Sequence, residues 1–337
     1  MSLQHRVAAT LRRRGALALL VAVAAVIGAT ALICTGSSAP PAPFAGPLPA
    51  AHEGLRLIVV GDLQRTAPVL EGWREHNDAE RARVVAEVGR ARPDLLLITG
   101  DCVFDGGSDA EWAAFDRLVA PLRARAIPAI AAFGNHEYWR GRGEAEAHLF
   151  PRFPLDRSRH HFTVELGPLR LVVLDSNADD LSATEWNEQR AWLARTLASF
   201  DADRTVSGVI VALHHPPYTN STYTGDESMV QRDLVPPFAH ARKTLAMLSG
   251  HVHSYERFTH DDKTYVVSGG GGGPRAPLAT GSDRRHPDDL FDGPVQRDFH
   301  FTVYTIGPDG VHAEVRGLPR GGARWQPMDH FELPWPR

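Results

Sequence analysis

The stretch LIVVGDLQ, residues 57–64, decides how the chain reads. Its four apolar residues, rich in β-branched side chains, suit a strand buried on both faces. Gly61 then lets the backbone turn sharply, and Asp62 follows. Gln64 stands two residues after Asp62, so an extended backbone points both side chains to the same side.

The same arrangement recurs downstream. LLLIT ends in Gly100-Asp101, AIAAF in Gly134-Asn135-His136-Glu137, VIVAL in His214-His215, and LAMLS in Gly250-His251-Val252-His253. Helical patterns such as NDAERARVVAEVGRA, DAEWAAFDRLVAPLRA and TEWNEQRAWLARTLASF alternate with the apolar runs. That alternation argues for an α/β fold built from βαβ units. HFTVEL and LRLVVLDS read as neighbouring strands, TYVVSGG, FHFTVYTIG and VHAEVRG as antiparallel strands near the end, and APLATGSDRRHPDDLFDGP as a surface loop. In open α/β sheets, ligands bind beyond the carboxyl ends of the strands. Taken singly, each Gly-Asp or Asn-His is an ordinary turn or strand cap. Five in order, each behind an apolar strand, read instead as one metal centre of carboxylates, imidazoles and an amide oxygen. That donor set suits Mn, Zn or Fe better than a soft metal.

On these motifs, GD, GD, GNHE, H and GHVH, the chain resembles the calcineurin-like metallophosphoesterases from about Leu55 to its end. GHVHSYER with TYVVSGGGGGP makes it most similar to the branch that includes the purple acid phosphatases. The resemblance implies a four-layer αββα sandwich of two mixed β-sheets flanked by helices, with two metal ions at the strand ends. It implies that Asp101 bridges the metals, that Asp62 and His253 complete one site, and that Asn135, His214 and His251 complete the other. His136 would be the acid and phosphate contact, with Glu137 behind it. The implied reaction cleaves a phosphomonoester, phosphodiester or pyrophosphate bond by attack of a metal-bound hydroxide.

Two departures from the pattern stand out. Most relatives place His where this chain has Gln64, and purple acid phosphatases place a metal-ligating Tyr where it has Phe104. Gln64 is either the missing ligand through its side-chain oxygen or a hydrogen-bond partner of metal-bound water. A neutral amide oxygen favours Mn over Zn or Fe. The alternative reading is a non-catalytic phosphate- or nucleotide-binding surface protein with a degraded first metal site. Arg65, His215 and Tyr218 are candidate substrate-binding residues, each with an ordinary reading as a solvated charge, a strand cap or a loop aromatic.

The chain of 337 residues is 43% hydrophobic with a formal net charge of -4, and its basic residues are scattered apart from an N-terminal cluster. No nucleic-acid footprint results, so the expected partner is a small phosphorylated substrate. The cysteines, Cys34 and Cys102, give no disulfide framework. Arg12, Arg13 and Arg14 precede an apolar run long enough for a bilayer core. Residues 1–36 therefore read as a signal peptide or membrane anchor, 37–51 as a Pro/Ala-rich linker, and 52–337 as the metallophosphoesterase domain. The expected location is extracytoplasmic, either anchored or secreted.

Overall fold

Strand β1 (Arg56–Val60) runs parallel to β2 (Leu95–Ile98), and β2 runs parallel to β3 (Ala129–Ala131), with Ile58, Leu96 and Ala129 side by side. These coordinates are a computed structural model that describes residues 43–44, 48–67, 72–153 and 160–336. All of them belong to the compact unit Pro41–Arg337. On the other side of β1 lie β10 (Phe299–Ile306), β11 (Gly310–Leu318) and β12 (Gln326–Pro334), each antiparallel to its neighbour. The sheet order is β12-β11-β10-β1-β2-β3. A second sheet is formed by β4 (Phe162–Leu166), β5 (Leu169–Val173), β6 (Gly208–Ala212), β7 (Thr244–Ser249), β9 (Lys263–Ser268) and β8 (Tyr255–His260), in that order. Its centre, β5 to β9, is parallel and its outer pairs are antiparallel.

Why the apolar runs are continuous follows from the layers. Leu57 and Val59 of β1 face the second sheet, packing in one cluster with Leu95, Leu97, Leu171, Ile210 and Leu248. Ile58 and Val60 turn the other way, toward Val84 and Val88 of helix Asp78–Ala91 and Phe115 and Val119 of helix Asp109–Arg123. On the far side, Val209, Val211 and Met247 pack with Trp186, Leu193 and Leu197 of helix Ala183–Ala202. Strands covered on both faces have no polar alternation. The fold is the two-sheet sandwich expected from the resemblance, with helices on both outer faces.

The expected linker needs correction at its described end. Phe44 is 2% exposed, stacks on Phe153 at 5.2 Å and has the Arg123 guanidinium over its ring, while its N–H donates to the Arg152 carbonyl. An apolar ring of that size belongs in the core, so the folded part reaches back at least to Phe44 rather than starting at 52. The expected N-terminal signal or anchor lies outside the described residues. Among the described residues, no helix is long and apolar enough to cross a membrane.

Candidate metal centre

The carboxyl ends of β1, β2 and β3 in one sheet and of β6 and β7 in the other meet at one edge of the sandwich. Each delivers its polar residue there in a constrained turn. Asp62, Asp101 and His251 have φ of 60°, 52° and 66°, a left-handed backbone that costs about 1–2 kcal/mol for a residue with a side chain. Such conformations persist where surrounding contacts hold them. Here the Asp62 N–H donates to the Gly100 carbonyl and the Gln64 N–H to the Asp101 carbonyl. Gly134 must be glycine, because a Cβ would collide with the Asp101 side chain and backbone.

Two groups of acceptor atoms converge. In the first, Asn135 Oδ1 lies 3.1 Å from His214 Nε2 and 3.0 Å from His251 Nδ1, and those two nitrogens are 3.2 Å apart. In the second, Asp62, Asp101 and His253 cluster, with His253 Nε2 3.4 Å from Asp62 Oδ1. Asp101 joins the groups, since its Oδ1 is 3.4 Å from His214 Nε2. Ligand atoms bound to one ion at about 2.1 Å stand about 3.0 Å apart when octahedral and about 3.4 Å when tetrahedral. The observed spacings match that range.

The tautomers sharpen the point. His214 Nδ1 donates to the Thr99 carbonyl at 2.8 Å, His253 Nδ1 to the Pro274 carbonyl at 2.8 Å, and His136 Nδ1 to the Phe104 carbonyl at 2.6 Å. With Nδ1 engaged in this way, Nε2 is the atom each ring turns toward the cluster, and it offers a lone pair there once its proton is displaced. Lone pairs of nitrogen and oxygen aimed at one another repel unless a cation lies between them. The residues present therefore fit two divalent cations.

Gln64 is buried against the second group. Its Nε2 lies 3.4 Å from His253 Nε2 and 3.5 Å from His136 Nε2, while Oε1 is buried with no hydrogen-bond partner. A half-turn of the amide would place that oxygen among the ligands. Phe104 carries no donor atom; its ring packs edge-on against Trp139 at 4.6 Å. Glu137 lies beneath the centre, fully buried, and accepts from the N–H groups of Asp101, Cys102 and Gly134. It fixes the turn that carries Asp101.

Electrostatics follow the same layout. Burial alone would raise the Asp101 carboxyl, but His214, His136 and His251 hold it well below the usual range. Burial lowers His214, yet Asp101 outweighs it and lifts the imidazole to about 9. His251 is pushed down to about 3 by burial and the neighbouring His214. Burial and the Asp101 charge raise Glu137 to about 8. Cys102, beside Asp101, is buried and its thiol is raised, so it is a packing residue.

The candidate substrate residues separate. Arg65 lines the cavity beside Gln64, Asp101 and His136, with its guanidinium 2.5 Å from Glu111. His215 bonds Ser176 Oγ and lines a neighbouring cavity with Asn135 and Glu227, its ring 4.5 Å from that of His251. Tyr218 is not among the residues of either cavity; it packs against His260 at 4.2 Å and Tyr265 at 4.9 Å. A loop aromatic beside an apolar strand found a packing partner, which moves it off the site. Sequence reasoning missed the carbonyls of Thr99, Phe104 and Pro274 that set the tautomers. Nothing in a side-chain sequence signals them, because any residue supplies a carbonyl.

The family model described as calcineurin-like phosphoesterase matches residues 55–255. Purple acid phosphatase 22 of Arabidopsis thaliana is 27% identical over 215 residues, 60% of this chain and 45% of that protein. A probable cyclic nucleotide phosphodiesterase of Moraxella catarrhalis is 32% identical over 173 residues, 48% of this chain and 58% of that protein. The chain spans about half the length of the curated relatives it matches. Among solved structures, the purple acid phosphatase PPD1 of yellow lupin superposes with a TM-score of 0.66 at 21% identity, over 86% of this chain and 55% of that one. A dimetal phosphatase from Danio rerio gives 0.58 at 13% identity, over 84% and 100%. With a family match over more than half its length, the chain belongs to the calcineurin-like phosphoesterases.

Proposed function

We propose that the protein is a two-metal hydrolase of phosphoric esters. The observation that carries the reading is the pair of acceptor groups, spaced at 3.0–3.4 Å and joined by Asp101. Asp62, Gln64, Asp101 and His253 would hold one cation, and Asp101, Asn135, His214 and His251 the other. Mn is the favoured metal because Gln64 contributes a neutral, hard oxygen. Bound cations of this kind lower the pKa of water and offset charge on phosphoryl oxygens.

The chain's own residues do the rest. His136 has its Nδ1–H pinned to the Phe104 carbonyl, so Nε2 faces the cavity, 3.9 Å from Asp101 Oδ2. A proton held at that Nε2 can be passed to the oxygen that leaves phosphorus. Glu137 keeps Asp101 and the turn after β3 in place through its three N–H contacts. The test is turnover of an aryl phosphate monoester and diester by the Mn-loaded protein. His136→Ala should lower kcat by about 10²–10⁴, and full activity in both His136→Ala and Asp101→Asn would show that this is not the site.

One observation favours a second reading. Gln64 and Phe104 leave the Asp62 group without the supplementary ligand its relatives have, as a phosphate- or nucleotide-binding surface protein without turnover would. Such a protein would keep one metal and hydrolyse nothing. We also propose export, either anchored or secreted, on the strength of Arg12–Arg14 and the apolar run that follows them. Membrane fractionation and the N-terminal residue of the mature protein test it; a soluble cytoplasmic protein with an intact start would contradict it.

A further inference from the structure

The cavity beside His136 has a volume of about 470 Å³, and two of the chain's most exposed aromatic rings line it: Trp139 is 51% exposed and Tyr223 66%. Large rings left to water beside a reacting centre have surface to gain from a ligand. Neither ring is loosely placed. Trp139 lies against the His136 ring at 4.2 Å and 30°, and Phe104 braces it edge-on. The Tyr223 loop is clamped by Arg285, which donates to the carbonyls of Thr219, Ser221 and Thr224. From below, buried Glu256 accepts from Thr219 Oγ1 and the Asn220 N–H. Arg74, also on the cavity wall, holds its guanidinium 5.1 Å from the Tyr223 ring centroid. A loop tied this firmly presents its aromatic side chain in a fixed place.

We infer that this wall is a subsite for the alcohol part of the substrate, and that it takes a nucleoside: a flat heteroaromatic ring stacked on Trp139, with Tyr223 and Arg74 closing the rim. The inference rests on the phosphohydrolase reading and names its substrate class. Trp139 adjoins His136 and lines the same cavity, so the indole borders the place where the alcohol part of a substrate would lie. Stacking is tolerant of base identity because every base has a π-face. Arginine over an aromatic rim also suits an electron-rich ring or a further phosphate.

The experiment compares adenosine 5′-phosphate with ribose 5-phosphate on the Mn-loaded full chain, reading kcat/KM and calorimetric Kd. Both members of the pair break the same bond and release the same alcohol oxygen, so a disturbed His136 slows them equally. A lost stacking partner slows only the adenosine member. The expected preference for adenosine is about 10- to 100-fold, the range that one stacked base supplies. Tyr223→Ala and Trp139→Leu should each cut that preference about fivefold or more, read as the ratio of the two kcat/KM values within each variant. A parent that treats the pair alike, or a preference that survives both substitutions, overturns the subsite while the hydrolase stands. If neither these compounds nor an aryl phosphate is hydrolysed, the hydrolase reading falls and Kd decides the subsite: a tighter adenosine Kd that weakens in both variants supports it, and equal Kd values overturn it.

Discussion

Gln64 is the residue on which the chemistry of the centre turns. It is 3% exposed, its amide lies at ligand distance from His253, and its Oε1 has no hydrogen-bond partner, a costly state for a buried carbonyl oxygen. Gln64→His should therefore shift the loaded protein from Mn preference toward Zn or Fe, measured by metal content after competitive reloading; an unchanged preference would put Gln64 outside the ligand set. Phe104 has no oxygen to offer, so an iron-loaded protein should show no visible charge-transfer band. Glu137 acts through the backbone. Replacing it with Ala strands three buried N–H groups, and metal affinity should drop about 10- to 100-fold, as read by chelator competition. At this scale the sequence showed which side chains gather, because Asp, Asn and His types at strand ends have few other uses in that order. It did not show Tyr218 leaving the site for His260 and Tyr265, since a loop aromatic chooses its contacts only after the loop is folded.

Elements position these residues, and glycine sets how close the elements come. Gly134 ends the turn after β3 with no room for a methyl group beside Asp101. Gly134→Ala should cost about 1–3 kcal/mol and weaken metal binding, visible as a lowered Tm that added Mn restores less than in the parent. A control lies in helix Ala183–Ala202, whose cap uses none of the candidate ligands. Its Ser182 Oγ accepts from the Glu185 N–H while Glu185 accepts from the Ser182 N–H, a closed capping box. Ser182→Ala should cost about 1 kcal/mol with metal content unchanged. The central strands were legible because both their faces are covered. Strand β12 was not: only Phe331 and Leu333 of QPMDHFELP are buried, and an edge strand with one wet face carries too few apolar residues to announce itself. Strand β8 hid behind its charges, since Glu256 and Arg257 find their partners in Thr219, Asn220 and Asp329, all remote in sequence.

For the molecule as a whole, the two sheets depend on buried groups that respond to pH. His300 of β10 is fully buried, and burial, with Arg297 nearby, depresses its imidazole to about 4. The unfolded chain binds that proton near pH 6.5, before the native one does. The stability His300 contributes is therefore present above pH 6.5 and is lost as pH falls toward 4, by about 3 kcal/mol. Denaturant titrations across that window should show the slope, and His300→Phe should flatten it by one proton. The sandwich itself was readable from the motif series; the reach of the fold back to Phe44 was not, because a lone aromatic among prolines looks like linker until its partner Phe153 is in place. The account's central claim is that one edge of this sandwich holds two cations bridged by Asp101. Metal content and phosphoester turnover of the purified, Mn-loaded protein beside Asp101→Asn test it most directly. The expected result is two Mn per chain with hydrolysis in the parent, and at most one Mn with activity lower by about a hundredfold or more in Asp101→Asn. A parent that holds a single metal and is inert, or an Asp101→Asn protein that keeps two metals and full activity, would contradict it.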